Sequence, residues 1–152
     1  MDKEEFIVFI SKKMKLVRME HDYTQDKMAD VLGISKKTLV QIEKGRITAG
    51  WTTVVAFCAL FNKSELLLSA LGDEPLYLAE LYAFKSEAAP YDRTMGGKVW
   101  WKLVEERAGY RLQQNLISNH YRILDEDNYR WYSSFEKEEA IKRLNELAER
   151  RP

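Results

Sequence analysis

Residues 24–45 read "TQDKMADVLGISKKTLVQIEKG". Two short runs of helical period, Met28, Ala29 and Leu32 and then Leu39 and Ile42, are separated by Gly33-Ile34-Ser35. Thr24 and Ser35 stand just before each run, where a side-chain oxygen caps the first-turn N–H groups. Gly33 and Gly45 stand just past each run, where the chain leaves a helix through a positive φ that glycine takes without steric penalty. The stretch therefore predicts two short helices meeting at a tight corner. Lys36 and Lys37 open the second helix, away from its apolar positions. Two readings follow from the residues alone: lysines left in solvent outside a packed corner, or a second helix built to meet a polyanion.

Outward from the corner, the helical period continues in both directions. Asp2 and Glu5 have the spacing of a capping box, and Phe6, Ile10, Met14 and Val17 then recur every three or four residues. Downstream, residues 51–61 and 64–71 read as a fourth and a fifth helix, the last closed by Gly72. Residues 1–72 are thus expected to form an all-α domain of five short helices. Residues 73–97 form an acidic segment and linker. "DEPLYLAELYAFKSE" suits a helix after Pro75 with Leu78, Leu81 and Tyr82 on its apolar face, and "AAPYDRTMGG" reads as the linker.

From Lys98 the period changes to two. "KVWWKLVEER", "YRLQQNLIS", "HYRIL" and "YRWYS" are rich in aromatic and branched residues, and Ala108-Gly109 and "DEDN" break them as turns do. Ser133 and Glu136 have the spacing to cap a final helix with Ala140, Ile141, Leu144, Leu147 and Ala148 inward. Residues 98–152 are expected to be a small α+β module, an antiparallel meander with a C-terminal helix.

Composition bounds the chemistry. The chain has 152 residues, 45% hydrophobic and 32% charged, enough to build a core. Its 24 basic and 24 acidic side chains cancel, so a nucleic-acid surface must come from local clustering. Cys58, the single cysteine, excludes an internal disulfide and a cysteine-rich zinc site, and reads as a packed core thiol. His21 and His120 lie far apart with no cysteine cluster, so no metal is expected, and no cofactor. Asp125, Glu126 and Asp127 read as a solvated turn. No nucleophile elbow, phosphate loop or paired catalytic spacing appears, and no enzyme activity is expected. "MDKEEFIVFI" is acidic where a signal peptide is basic, and "VVAFCALF" is too short to span a bilayer, so a cytoplasmic protein is expected.

Arg18, Thr24-Gln25, Ala29, Leu32-Gly33-Ile34-Ser35, Leu39, Ile42-Glu43 and Gly45 together resemble the helix-turn-helix domain of the phage-repressor and Cro-like (XRE) family, over residues 14–71. The resemblance implies a lambda-repressor-like five-helix fold, with Arg18 and Glu43 as a structural ion pair. It also implies that helix 35–44 reads the major groove of double-stranded DNA. Base-edge contacts then fall on Lys36, Lys37 and Gln41, with Ser35 and Thr38 near the backbone or groove floor. Gln25, Lys44 and Arg46 take phosphate positions. Relatives often carry glutamine where this chain has Lys36 and Lys37, and two flexible cations suit phosphate and guanine.

The resemblance implies a sequence-specific transcriptional regulator, a repressor, acting as a homodimer on a near-palindromic site. The rival expectation is an antitoxin-like or phage-encoded interaction protein whose C-terminal sheet binds a protein, with DNA binding serving autoregulation. The second half, outside the resemblance, is the candidate module for dimerisation, a protein partner or a small-molecule effector. Its aromatics should divide between the helix-covered face and the outer face. Arg107, Arg111, Arg122 and Arg130 interleave with them in a pattern that also suits single-strand stacking.

Overall fold

The computed structural model describes residues 1–87 and 100–150. The chain divides into two compact units, Met1–Ala79 and Glu80–Pro152. The first is helical: α1 (Lys3–Glu20), α2 (Gln25–Leu32), α3 (Lys36–Glu43), α4 (Trp51–Leu60) and α5 (Glu65–Leu71). The second holds β1 (Ser86–Glu87), β2 (Trp101–Arg107), β3 (Tyr110–Asn115), β4 (Tyr121–Leu124), β5 (Arg130–Ser134) and α7 (Lys137–Arg150). A helix α6 (Pro75–Phe84) runs through the division. Among the described residues no single helix is long and apolar enough to cross a membrane.

The helix starts follow local chemistry. Asp2 and Glu5 form the capping box reciprocally, and Thr24, Ser35 and Ser64 each accept an N–H three residues on. Phe6, Ile10, Met14 and Val17 are completely buried, as are Val54, Phe57, Cys58 and Leu67. Burial pushes the Cys58 thiol up to about 12, so it is neutral packing rather than a reactive group. Glu20 fastens the end of α1 to the start of α5, accepting from Ser64 Oγ at 2.6 Å and from Leu66 N at 3.2 Å. Residues 75–84 are helical as their pattern predicts, but burial reaches beyond one stripe. Tyr77 and Ala79 are buried along with Leu78 and Leu81, while Tyr82 is half-buried.

All four expected strands form, and β1 adds a two-residue rung against β5, giving an antiparallel sheet of order β1-β5-β4-β3-β2. The expected linker "AAPYDRTMGG" lies outside the described residues. Ala108 and Gly109 both take positive φ, 49° and 82°, as a two-residue hairpin turn matching strand twist requires. The third strand is shorter than its composition predicts. Asn115 Oδ1 accepts from both Ile117 N (2.9 Å) and Ser118 N (3.0 Å), and this side-chain turn ends β3. The final helix starts later than its expected cap. Ser133 is spent in β5 opposite Arg122, and Ser134 instead receives the Glu136 N–H at 3.0 Å.

One sheet face carries the core of this unit. Tyr110, Leu112, Tyr121, Ile123 and Tyr132 pack with Ala140, Leu144 and Leu147 of α7. Trp101 belongs to a different environment, with the Arg122 guanidinium 3.7 Å from its ring centroid and His120 edge-on at 5.0 Å. The arginines do not make a stacking platform. Arg122 and Arg130 are buried, Arg111 is held by the Asp125 carbonyl and Asn128, and Arg107 by Glu105 and Asn145. Asp125 organises its turn, accepting from Asp127 N, Tyr129 N and Trp131 Nε1. At the β2 edge a bulge at Val104 and the charges of Lys102, Glu105, Glu106 and Arg107 oppose pairing with a further strand.

Candidate nucleic-acid interface

The corner between α2 and α3 is built as its residues demand. Ala29 is 4% exposed on the buried face of α2 with Met28 and Leu32, beside the turn that leads into α3. Gly33 takes φ 71°, and a Cβ there would meet nothing within 4 Å. Glycine is thus required by backbone conformation rather than by space. Ile34 N donates back to Ala29 O at 3.0 Å, closing the turn. Ala29→Leu is expected to cost about 1–3 kcal/mol by overpacking this buried face, seen as a lower melting temperature of the full chain.

A polar hub locks α3 from behind. Arg18 Nε and Nη2 donate to the two Glu43 carboxylate oxygens, each at 2.9 Å, and Arg18 Nη1 donates to Tyr23 O at 3.0 Å. The Glu43 hydrogen bond, aided by its charge, raises the Arg18 pKa above its ordinary value against the opposing effect of burial. Gln25 Nε2 adds a bond to Glu43 Oε1 at 3.2 Å. One carboxylate therefore ties together α1, the start of α2 and the end of α3. The ion pair implied by the resemblance is present, and Gln25 is drawn into it.

The inner face of α3 buries Leu39 and Ile42, leaving the opposite face outward. Lys37, Gln41 and Lys44 fall at i, i+4 and i+7 on that face, and Arg46 follows Gly45, whose φ is 73°. Among the described residues, these four side chains make no hydrogen bond or ion pair. Lys36 differs: its Nζ lies 3.2 Å from Asp26 Oδ2. Ser35 and Thr38 serve the cap, with Ser35 Oγ accepting from Thr38 N at 3.0 Å and donating to Thr38 Oγ1 at 2.9 Å. The eight residues expected to meet DNA thus divide. Half are unengaged and half hold one another or a neighbour.

Two supporting residues escaped sequence reasoning. Ser11, on the buried face of α1, donates to Ile7 O at 2.7 Å and accepts from Ala49 N at 2.9 Å. It thereby anchors the loop that carries Lys44 and Arg46. A serine within the otherwise apolar stripe of Ile7, Ile10 and Met14 was the available signal. Gly50 caps α4 without any side-chain hydrogen bond, so the first-turn N–H groups of α4 lack a side-chain acceptor.

Helices α2 and α3, joined by a glycine turn with an outward row of cations and amides, define a helix-turn-helix DNA-binding protein. Residues 14–68 match the family model described as Helix-turn-helix, and the match supports the XRE-type resemblance of this segment and its DNA-binding character. No curated protein and no solved structure gives a match to the chain.

Proposed function

We propose that the protein is a sequence-specific transcriptional repressor whose α3 enters the major groove by its N-terminal end. The observation that carries this reading is the unengaged row Lys37, Gln41, Lys44 and Arg46 on a helix immobilised from behind by Arg18 and Glu43. A recognition helix needs free donors on a fixed backbone; these four side chains are unengaged, and the Arg18–Glu43 pair ties the end of α3 to α1. In this reading Lys36 and Lys37 donate to guanine O6 and N7, and Gln41 addresses adenine through two hydrogen bonds. Ser35 and Thr38 lie against the DNA backbone or groove floor. Gln25, Lys44 and Arg46 hold phosphates, with Gln25 using the amide hydrogen that Glu43 leaves available.

Two chains bind as a homodimer on a near-palindromic operator, because a symmetric pair doubles the number of bases read. Repression follows from occupancy of a promoter-proximal site. Residues 98–152 serve self-association or take a protein partner or effector. Enrichment from random duplexes should yield an inverted repeat bound by two chains, and failure to enrich any site would overturn the proposal. Lys44→Ala with Arg46→Ala should weaken binding to all duplexes alike. The plot of log affinity against log salt should become shallower by about 1.8, the share of two phosphate contacts.

A further inference from the structure

Asp26, in the first turn of α2, is an anion on the side of the corner where a polyanion would dock. Its carboxylate lies 3.2 Å from Lys36 Nζ, with the two side chains 74% and 54% exposed. Ten residues and a helix corner separate the partners, so the contact is a product of the fold rather than of one helix's spacing. Lys37, Lys44 and Arg46 have no such anion on them. An exposed ion pair of this kind adds little stability. What it does change is where the Lys36 ammonium sits and what remains beside it when DNA arrives.

We infer that Asp26 is a positioning residue that holds Lys36 for base recognition and disfavours its use on phosphates. The inference rests on the reading that Lys36 meets DNA. An ammonium has three N–H donors, so Lys36 can keep Asp26 and still donate to a guanine edge. A phosphate taken by the same ammonium brings a second anion against the Asp26 carboxylate, and the two repel, whereas a guanine edge is neutral. Binding to DNA in general is thereby weakened more than binding to the operator, and discrimination rises.

The test compares full-length wild type with Asp26→Asn on an enriched operator duplex and on a random-sequence duplex of equal length, across a salt series. Asp26→Asn should bind the random duplex about two- to fivefold tighter, the weight of an exposed ion pair. Its salt slope there should steepen by about 0.9, one additional phosphate contact. Operator affinity should move less, so the specificity ratio falls, by at most that factor. Asp26→Glu should restore wild-type behaviour, and Lys36→Ala should abolish the effect of Asp26→Asn. An unchanged slope and ratio would overturn the inference. So would an equal steepening in the Lys36→Ala background, which would make Asp26 a general repulsive charge. Loss of operator affinity with unchanged random binding would also overturn it, by assigning the carboxylate a base of its own. A wild type that enriches no duplex overturns the underlying DNA reading, whereas an operator-selecting wild type with an indifferent Asp26→Asn overturns this inference alone.

Discussion

Glu43→Ala is expected to destabilise the helical unit by about 3 kcal/mol and lower its melting temperature by on the order of 15 °C. The size comes from what the substitution leaves behind rather than from the bonds it deletes. Glu43 is 4% exposed and Arg18 16% exposed. Without the carboxylate, a largely enclosed guanidinium retains only Tyr23 O as a fixed acceptor, and Gln25 loses its bond as well. Truncating one partner of such a pair costs more than the pair contributes, because the surviving charge remains desolvated. Thermal melts of the full chain, followed by far-ultraviolet circular dichroism, resolve the change. A wild-type melting temperature would show that the hub does not hold α3.

Lys37→Ala combined with Gln41→Ala is expected to lower operator affinity by about 4 kcal/mol, roughly a thousandfold, at about 1–3 kcal/mol for each base contact. The two residues lie one turn apart on the outward face of α3, and neither has a side-chain partner among the described residues. Stability should therefore stay close to that of the wild type, which separates this variant from Glu43→Ala. Binding to random-sequence DNA should fall much less than operator binding. Titration of both duplexes at one salt concentration measures the difference. Equal losses on the two would move Lys37 and Gln41 from base reading to phosphate contact.

The two variants also mark how far the site could be read in advance. Lys36 and Lys37 stand off the apolar positions of their helix by period alone, while Gln41, Lys44 and Arg46 are outward positions that the family resemblance implies. Their engagement was not visible. That Lys36 is paired while Lys37 is free depends on Asp26, which comes from another helix. The resemblance implies a phosphate position for Gln25, and in the folded chain its amide also serves Glu43. Arg18 and Glu43 were linked by family resemblance. Nothing in the spacing of two residues 25 apart would otherwise join them.

The sheet unit divides in the same manner. Alternation found the four strands, and a turn with two positive-φ residues at Ala108 and Gly109 needed no distant partner. The end of β3 depended on how the Asn115 side chain folds back, and the start of α7 on Ser133 being taken into β5. The rung of β1 against β5 joins residues 48 positions apart in Ser86 and Ser134, and no local pattern announces it.

What the sequence by itself determined are features whose physics closes within about four residues: the caps at Asp2, Thr24, Ser35 and Ser64, the left-handed turns at Gly33 and Gly45, and the apolar stripe of α1. Each is settled by a side chain and the backbone beside it, so the order of residues is enough. Only the tertiary structure decided that Glu43 gathers Arg18 and Gln25, that Ser11 holds Ala49, and that Asp26 takes Lys36 while Lys37 stays free. A hydrogen bond requires its two atoms within about 3 Å. Across separate helices that distance is set by the packing of Ala29, Leu39 and Ile42 between them, which no single segment of the chain contains.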